Sequence, residues 1–392
     1  MEKRRLEELA VSMGTPFYVF DTDILRERIA WVSDRIRPAK LCYAIKANPF
    51  LIRAMDAHVE RYEVCSPGEF HICVQNQMNM KKVVLSGVYK EYGDVRYAME
   101  QGVVHYTAES KSQFELVHRC ARELGKKAEI LLRVTSGNQF GMSEEDVREL
   151  LRNRSSCPEL QIMGLQYFTG TQKKVIGKIA RELEYIEDFI DRLQQEEQFM
   201  TRELEFGPGL GVPYFTKDDA CEDQKLLEDF AKLLERERSY ELIFEMGRFL
   251  TASCGCYITR VVDQKRNDAV NACIVDGGIH HVNYYGQNMA MKTPVLTYLP
   301  QHPIEQEGEE LWTIYGALCT VSDVLLKKFP LKDVRTGDYL VFQNIGAYSV
   351  TEGIYLFLSR KMPKIYLYDQ KNGLRLLRED LETWNLNTWS EA

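Results

Sequence analysis

Four features of this 392-residue chain could do chemistry. Lys46 ends the apolar run in CYAIKANPF. An amine at the tip of a buried strand loses hydration, its pKa falls, and it becomes a nucleophile for a carbonyl. Glu245 ends another apolar run, LIFE, and a carboxylate there needs a cationic partner. The loop FGPGLGVPY carries Gly207, Gly209 and Gly211, whose alternation lets backbone N–H groups approach an anion such as phosphate. Arg248, in EMGRF, could add a bidentate phosphate contact. Each signal has an ordinary reading when taken alone: a surface lysine, a turn, a surface ion pair. Their positions in the chain decide between the two.

Eight short β-rich runs occur: LCYAI (41–45), YEVC (62–65), VVLSG (83–87), VVHYT (103–107), AEILLRV (128–134), IMGLQYF (162–168), LEF (204–206) and LIFE (242–245). Amphipathic segments separate them. In SKSQFELVHRCARELGK, Phe114, Val117, Cys120, Ala121 and Leu124 recur at helical spacing. In SEEDVRELLRNR, Ser143 followed by three acids is a helix start, because acids favour the positive N-terminal end. Eight strand–helix alternations predict an α/β fold with a (β/α)8 barrel, and an open doubly wound sheet is the competitor. In such barrels function collects where strands end. Lys46, Ser66, Gly87, Arg133, Gly170, the glycine loop and EMGR all stand at strand ends.

Beyond residue 257 the pattern turns to strands with little helix: YITRVVDQ, AVNACIVDGG, LWTIYGALC, GDYLVFQNIGAY and KIYLYD. KIYLYDQKNGLRLL reads as a hairpin turning at Asn372-Gly373. TPFYVFD is strand-like and precedes the barrel. The expected organisation is a barrel over 25–256 and a β-rich domain built from 1–24 and 257–392.

Composition narrows the function classes. Hydrophobic residues make 45% and charged residues 28% of the chain, ordinary for a globular protein. The formal charge is -8 with no basic stripe, which disfavours nucleic acid and anionic membranes. No run approaches the roughly 18 apolar residues of a spanning helix. Acids interrupt the basic start before any apolar stretch, so a signal peptide is not expected. Ten cysteines without CxxC pairs read as reduced thiols in the cytoplasm, with neither a disulfide framework nor a metal site.

In order, YAIKAN, VCSPGEF, the glycine loop, EMGR, GALCTVSD and GAY resemble the alanine-racemase-fold group of pyridoxal-phosphate decarboxylases, which includes diaminopimelate, ornithine and arginine decarboxylases. The resemblance runs from about residue 15 to 378. It implies pyridoxal 5'-phosphate as cofactor, an amino-acid substrate, and a homodimer with shared active sites. It implies that Lys46 is the Schiff-base lysine and that Glu245 faces the pyridine nitrogen. Gly209, Gly211, Gly247, Arg248 and Tyr348 would cradle the phosphate, with Ser66 nearby. Cys319 and Asp323, with Thr320 between them, would reach across the dimer to the partner's substrate, Cys319 as proton donor to the carbanion left by CO2. An amino-acid racemase and a catalytically dead partner-binding homologue are the alternatives.

Three departures from the family pattern stand out. Phe168, in QYFTGTQ, takes the place of a histidine that stacks on the cofactor, and it can stack but cannot donate. Pro208 replaces a glycine of the loop and removes an N–H. Thr320 stands where diaminopimelate decarboxylases carry a glutamate that holds the substrate's distal ammonium. An unpaired ammonium in a closed site costs several kcal/mol, so meso-diaminopimelate is disfavoured, though it remains an alternative. TGTQ (169–172), GVPYF (211–215), DGGIHH (276–281) and GALCT (316–320) resemble a subgroup that decarboxylates L-glutamate tethered to a carrier protein. The substrate could therefore arrive on an acyl-carrier protein. His280 and His281 read as an exposed pair.

Overall fold

The computed structural model describes residues 3–266 and 271–389; Ala269 and Val270 of the AVNACIVDGG run lie outside the described residues. The first strand, β1 (Phe17–Asp21), precedes the barrel. Then come β2 (Lys40–Ala44), β3 (Arg61–Val64), β4 (Val83–Leu85), β5 (His105–Ala108), β6 (Ala128–Arg133), β7 (Leu160–Phe168), β8 (Glu203–Gly207) and β9 (Glu241–Met246). These eight form a closed barrel in sequence order, all parallel, with Cys42 of β2 opposite Glu245 of β9 at the closure. The competing open sheet is thereby excluded.

The helices between strands follow from local chemistry. Ser110 caps Lys111–Leu124 by accepting from Gln113 N at 3.2 Å, and Gly125 ends it at φ +61. Its apolar stripe (Phe114, Val117, Cys120, Ala121) is buried, each large side chain contributing roughly 1.5–3 kcal/mol. Ser143 caps Glu144–Arg152 in the same way, with three acids in the first turn.

The remaining strands are β10 (Gly255–Arg266), β11 (Asn271–Val275), β12 (Leu296–Leu299), β13 (Glu310–Tyr315), β14 (Val324–Leu331), β15 (Tyr339–Phe342), β16 (Lys364–Asp369) and β17 (Gly373–Arg378). With β1 they make one nine-stranded sheet. The early strand is built into it: β1 runs antiparallel to β10 (Phe17 opposite Ile258) and parallel to β16 (Phe17 opposite Lys364). The hairpin β16–β17 turns where expected, with Gly373 at φ +73. A helix the sequence reading lacked, Lys3–Met13, sets Leu6, Leu9 and Ala10 against Phe17, Val19, Ile258 and Val341.

The chain divides into a barrel unit (28–212 and 221–250) and a sheet unit (1–27, 213–220 and 251–392). Residues 25–27 and 251–256, counted with the barrel in the sequence reading, go with the sheet, and so does the inserted stretch 213–220. Backbone bonds explain the last of these: Thr216 N donates to Thr293 O at 2.9 Å and Val295 N to Tyr214 O at 3.4 Å.

Candidate active site

Lys46 sits in the 3-10 turn (Ile45–Ala47) directly after β2, so its amine emerges at the rim where the strands end. The Nζ donates to Glu63, to Glu245 Oε1 at 3.3 Å and to Cys65 Sγ at 3.5 Å. Glu63 is a β3 residue that the sequence reading did not single out. It is almost fully buried and hydrogen-bonds Glu245. Burial pushes the Glu63 carboxyl up, but the Lys46 charge and three hydrogen bonds outweigh it and hold the group at about 2. Glu245 moves the other way: burial, then the Glu63 charge, raise it to about 7. The opposite shifts place the proton of this pair on Glu245 below about pH 7. The Cys65 thiol, pushed well up by burial and by Glu63, donates to Glu63 Oε1 at 3.2 Å.

The glycine loop after β8 is laced to the segment after β7. Lys173 N donates to Gly209 O at 2.9 Å, and Gly211 N donates to Lys173 O at 2.9 Å. Gln172 closes the ladder by accepting from Val212 N at 2.8 Å. A Cβ on Gly209 (φ +63) would fall 1.9 Å from Gly170 O, so only glycine fits. The Gly211 amide, expected to face phosphate, is spent inside the ladder, and that residue holds the loop. Gly247 packs so tightly that a Cβ would stand 2.7 Å from that of Ala47, beside the lysine. Arg248 follows, buried at the end of β9. Phe168 ends β7 half-buried, and its ring lies against Gly207, where a Cβ would meet Cδ2 at 2.3 Å.

Ser66 is a helix cap: its Oγ accepts from Glu69 N at 3.2 Å, and Glu69 Oε2 accepts from Cys65 N at 2.7 Å. Arg133, at the end of β6, pairs with Glu109 at 2.8 Å.

In the sheet unit the GALCTVSD loop is organised by Asp323. This residue is 1% exposed and accepts from Leu318 N at 2.7 Å and Ile279 N at 2.8 Å. Glycine is required at 278 and 316, because a Cβ on either would strike this carboxylate. Asp323 was expected to touch substrate; both its oxygens are instead committed to backbone donors, and it clamps the loop. The clamp leaves Cys319 exposed and Val321 89% exposed at the loop tip. Thr320 Oγ1 lies 3.0 Å from Ser322 Oγ. Tyr348 is half-buried at φ +67, a conformation rare for tyrosine and frequent at functional sites. His280 and His281 are 1% and 2% exposed, not a solvent pair. Tyr257 Oη stands 2.8 Å from His281 Nδ1, and burial holds His280 down at about 4.

The donor set fits a phosphorylated pyridoxal. An amine and a buried, protonatable acid stand on adjoining strands, and at the same ends of the barrel strands lie a glycine loop in which only glycine fits at 209 and the buried Arg248. No helix among the described residues is long and apolar enough to cross a membrane. Residues 22–252 match the family model described as the pyridoxal-binding domain of pyridoxal-dependent decarboxylases. The diaminopimelate decarboxylase of Aquifex aeolicus is 26% identical over 395 residues, covering 95% of this chain and 91% of that protein. The L-glutamyl acyl-carrier-protein decarboxylase of Niallia circulans is 25% identical over 404 residues, covering 96% and 94%. A crystal structure of an Aquifex aeolicus protein superposes with a TM-score of 0.84 at 25% identity, over 97% of this chain and 93% of that one. The matched segment contains the whole barrel with its amine, its acid and its glycine cradle, so the chain belongs to the pyridoxal-dependent decarboxylases.

Proposed function

We propose that this chain removes the α-carboxylate, as CO2, from an amino acid or amino-acid derivative whose far end carries no free ammonium. The observation that carries this reading is the Lys46 amine between Glu63 and Glu245, with the glycine loop at Gly209 on the same rim. When bound, pyridoxal 5'-phosphate supplies an electron sink for the pair left at the α-carbon as CO2 departs. Lys46 would hold the cofactor's aldehyde through its amine. Glu63, ionised beside it, steadies the amine while it carries charge. Glu245, buried and protonated below about pH 7, would pass its proton to the ring nitrogen and face it as a carboxylate. Gly209, Gly247 and Arg248 would hold the phosphate, and Phe168 would offer its face to the ring.

Cys319 stands on an exposed loop tip held from behind by Asp323, which suits a residue lent to a second copy of the chain. We therefore read the enzyme as a homodimer in which Cys319 of the partner subunit protonates the α-carbon. Ten free thiols support a cytoplasmic setting.

Thr320 supports the substrate assignment. It offers a hydroxyl where diaminopimelate decarboxylases have a carboxylate, and a hydroxyl does not neutralise a distal ammonium. Likeness to the Niallia circulans enzyme supports a substrate tethered to an acyl-carrier protein. Overall similarity to diaminopimelate decarboxylases supports meso-diaminopimelate as the second reading. The test is CO2 release from purified protein with glutamyl-carrier protein, meso-diaminopimelate, lysine, ornithine and arginine, with Lys46→Ala as control. Turnover of the carrier-bound substrate supports the proposal, and dominant turnover of meso-diaminopimelate overturns the substrate assignment. No CO2 from any of these, with no cofactor absorbance lost in Lys46→Ala, overturns the whole reading.

A further inference from the structure

The barrel interior holds an acid that the chemistry above does not use. Glu205, on β8, is 0% exposed. Its Oε1 accepts from Gln166 Nε2 of β7 at 2.6 Å, and its Oε2 has no protein partner. Every strand packed around it can be accounted for. Cys42 faces it from β2, Arg61 and Glu63 from β3, the neutral Gln166 from β7, Glu203 from its own strand and Glu245 from β9.

The charges among these groups do not balance. Four strand carboxyls (Glu63, Glu203, Glu205, Glu245) share the interior with two cations, Arg61 and Lys46. Arg61 is committed to Glu203 through both forks, the Nη2–Oε2 bond being 2.9 Å. Lys46 is committed to Glu63. Arg133, at the rim, is balanced by Glu109. Two carboxyls are left over, and a bare carboxylate in such surroundings takes up a proton instead of remaining charged. Glu245 holds one of these protons until about pH 7, and Glu205 holds the other to higher pH. Burial, then the charges of Glu245, Glu203 and Glu63, raise Glu205 to about 8.

We propose that Glu205 is a positioning residue that works as a neutral carboxylic acid, keeping the barrel interior free of a further negative charge so that Glu245 can ionise when a protonated ring nitrogen comes to face it. An ionised Glu205 would hold the proton on Glu245 by like-charge repulsion, and the acid would then have no charge to offer the ring. The part concerning the ring rests on the cofactor reading above; the stored proton does not.

The test begins without cofactor, on the full chain, and uses Glu205→Gln, which imitates the neutral acid in shape. Unfolding at about pH 6 releases the Glu205 proton, because the unfolded carboxyl titrates near 4.5. Wild type should therefore release one proton more than Glu205→Gln. The melting temperature of Glu205→Gln relative to wild type should rise between about pH 5 and pH 8 and level off above. Equal proton release, or a melting difference that does not change with pH, overturns the proposal. Should Glu205→Gln not fold, the infrared carbonyl band of a protonated carboxylic acid is sought in Glu245→Gln, where the proton of Glu245 no longer contributes. A band lost as pH rises through about 8 supports the proposal, and its absence at pH 6 overturns it. With cofactor bound, the wild-type visible spectrum should change across the same interval and that of Glu205→Gln should not. A failure of the cofactor reading would show only in this last arm, since the proton count is made without cofactor.

Discussion

The amine of Lys46 and the carboxyl of Glu245 stand 3.3 Å apart, with the ionised Glu63 hydrogen-bonded to both. The two acids therefore respond to pH in opposite senses. Glu63 is held below its ordinary value, so its pairing stabilises the fold above about pH 4.5, and that contribution is lost as pH falls toward 2. Glu245 is raised, so it favours the fold below its unfolded value and that contribution is lost as pH rises toward 7. Glu63→Gln should destabilise the cofactor-free protein at pH 7 by about 1–3 kcal/mol, with the difference shrinking in acid. Glu245→Gln should be neutral or stabilising at pH 8 while lowering CO2 release by about a hundredfold. Urea unfolding at several pH values, together with a CO2 assay, checks both signs.

Gly209 lies at φ +63 with Gly170 O occupying the place of its missing Cβ. Gly209→Ala must strain the backbone and push the two loop segments apart, at a cost of about 1–3 kcal/mol. The damage falls on the cradle and not on the barrel strands. Cofactor affinity should drop by about tenfold or more, while circular dichroism stays that of a folded α/β protein. Titration of the cofactor-free protein with pyridoxal 5'-phosphate reads the affinity directly.

Asp323 and Cys319 separate loop order from chemistry. Asp323→Asn gives up a charge-assisted acceptor in a buried clamp and should cost about 1–3 kcal/mol of stability. Cys319→Ala touches an exposed side chain and should leave stability within about 0.5 kcal/mol. Its effect should appear in the product: loss of the proton donor slows protonation of the α-carbon and favours side reactions. Thermal melts and product analysis in parallel distinguish the two residues.

The barrel was legible because its eight strand runs are short, apolar and separated by amphipathic helices with good caps. Lys46 and Glu245 were legible because each ends an apolar run, where a charge must have a purpose. Glu63 and Glu205 escaped notice for the opposite reason. In YEVC and LEF a single acid alternates with apolar residues, which along a strand reads as one face toward water. In a closed barrel that face is the interior. The clamp by Asp323 could not be read at all, because it joins Ile279 and Asp323, positions 44 apart, and exists only once both loops are folded. The histidine pair was misread for a similar reason: DGGIHH looks like a polar loop until Tyr257 and the Lys361 carbonyl enclose His281.

Thr320 gives the sharpest test of substrate choice. It lies directly after Cys319 on the loop clamped by Asp323, and its hydroxyl reaches only Ser322, at 3.0 Å. The loop backbone is held chiefly by the buried Asp323 bonds, the Thr320 side chain adding one long bond from Ser322 N at 3.5 Å, so Thr320→Glu should leave its course intact. The new carboxylate would supply a partner for a distal ammonium, and a hydrogen bond to a charged group contributes about 1.5–3 kcal/mol. Turnover of meso-diaminopimelate, measured as kcat/KM for CO2 release, should therefore rise by about tenfold or more. The same carboxylate should depress turnover of a substrate without that ammonium, because it would be desolvated without a partner. Equal turnover of meso-diaminopimelate by wild type and Thr320→Glu would place specificity elsewhere in the site.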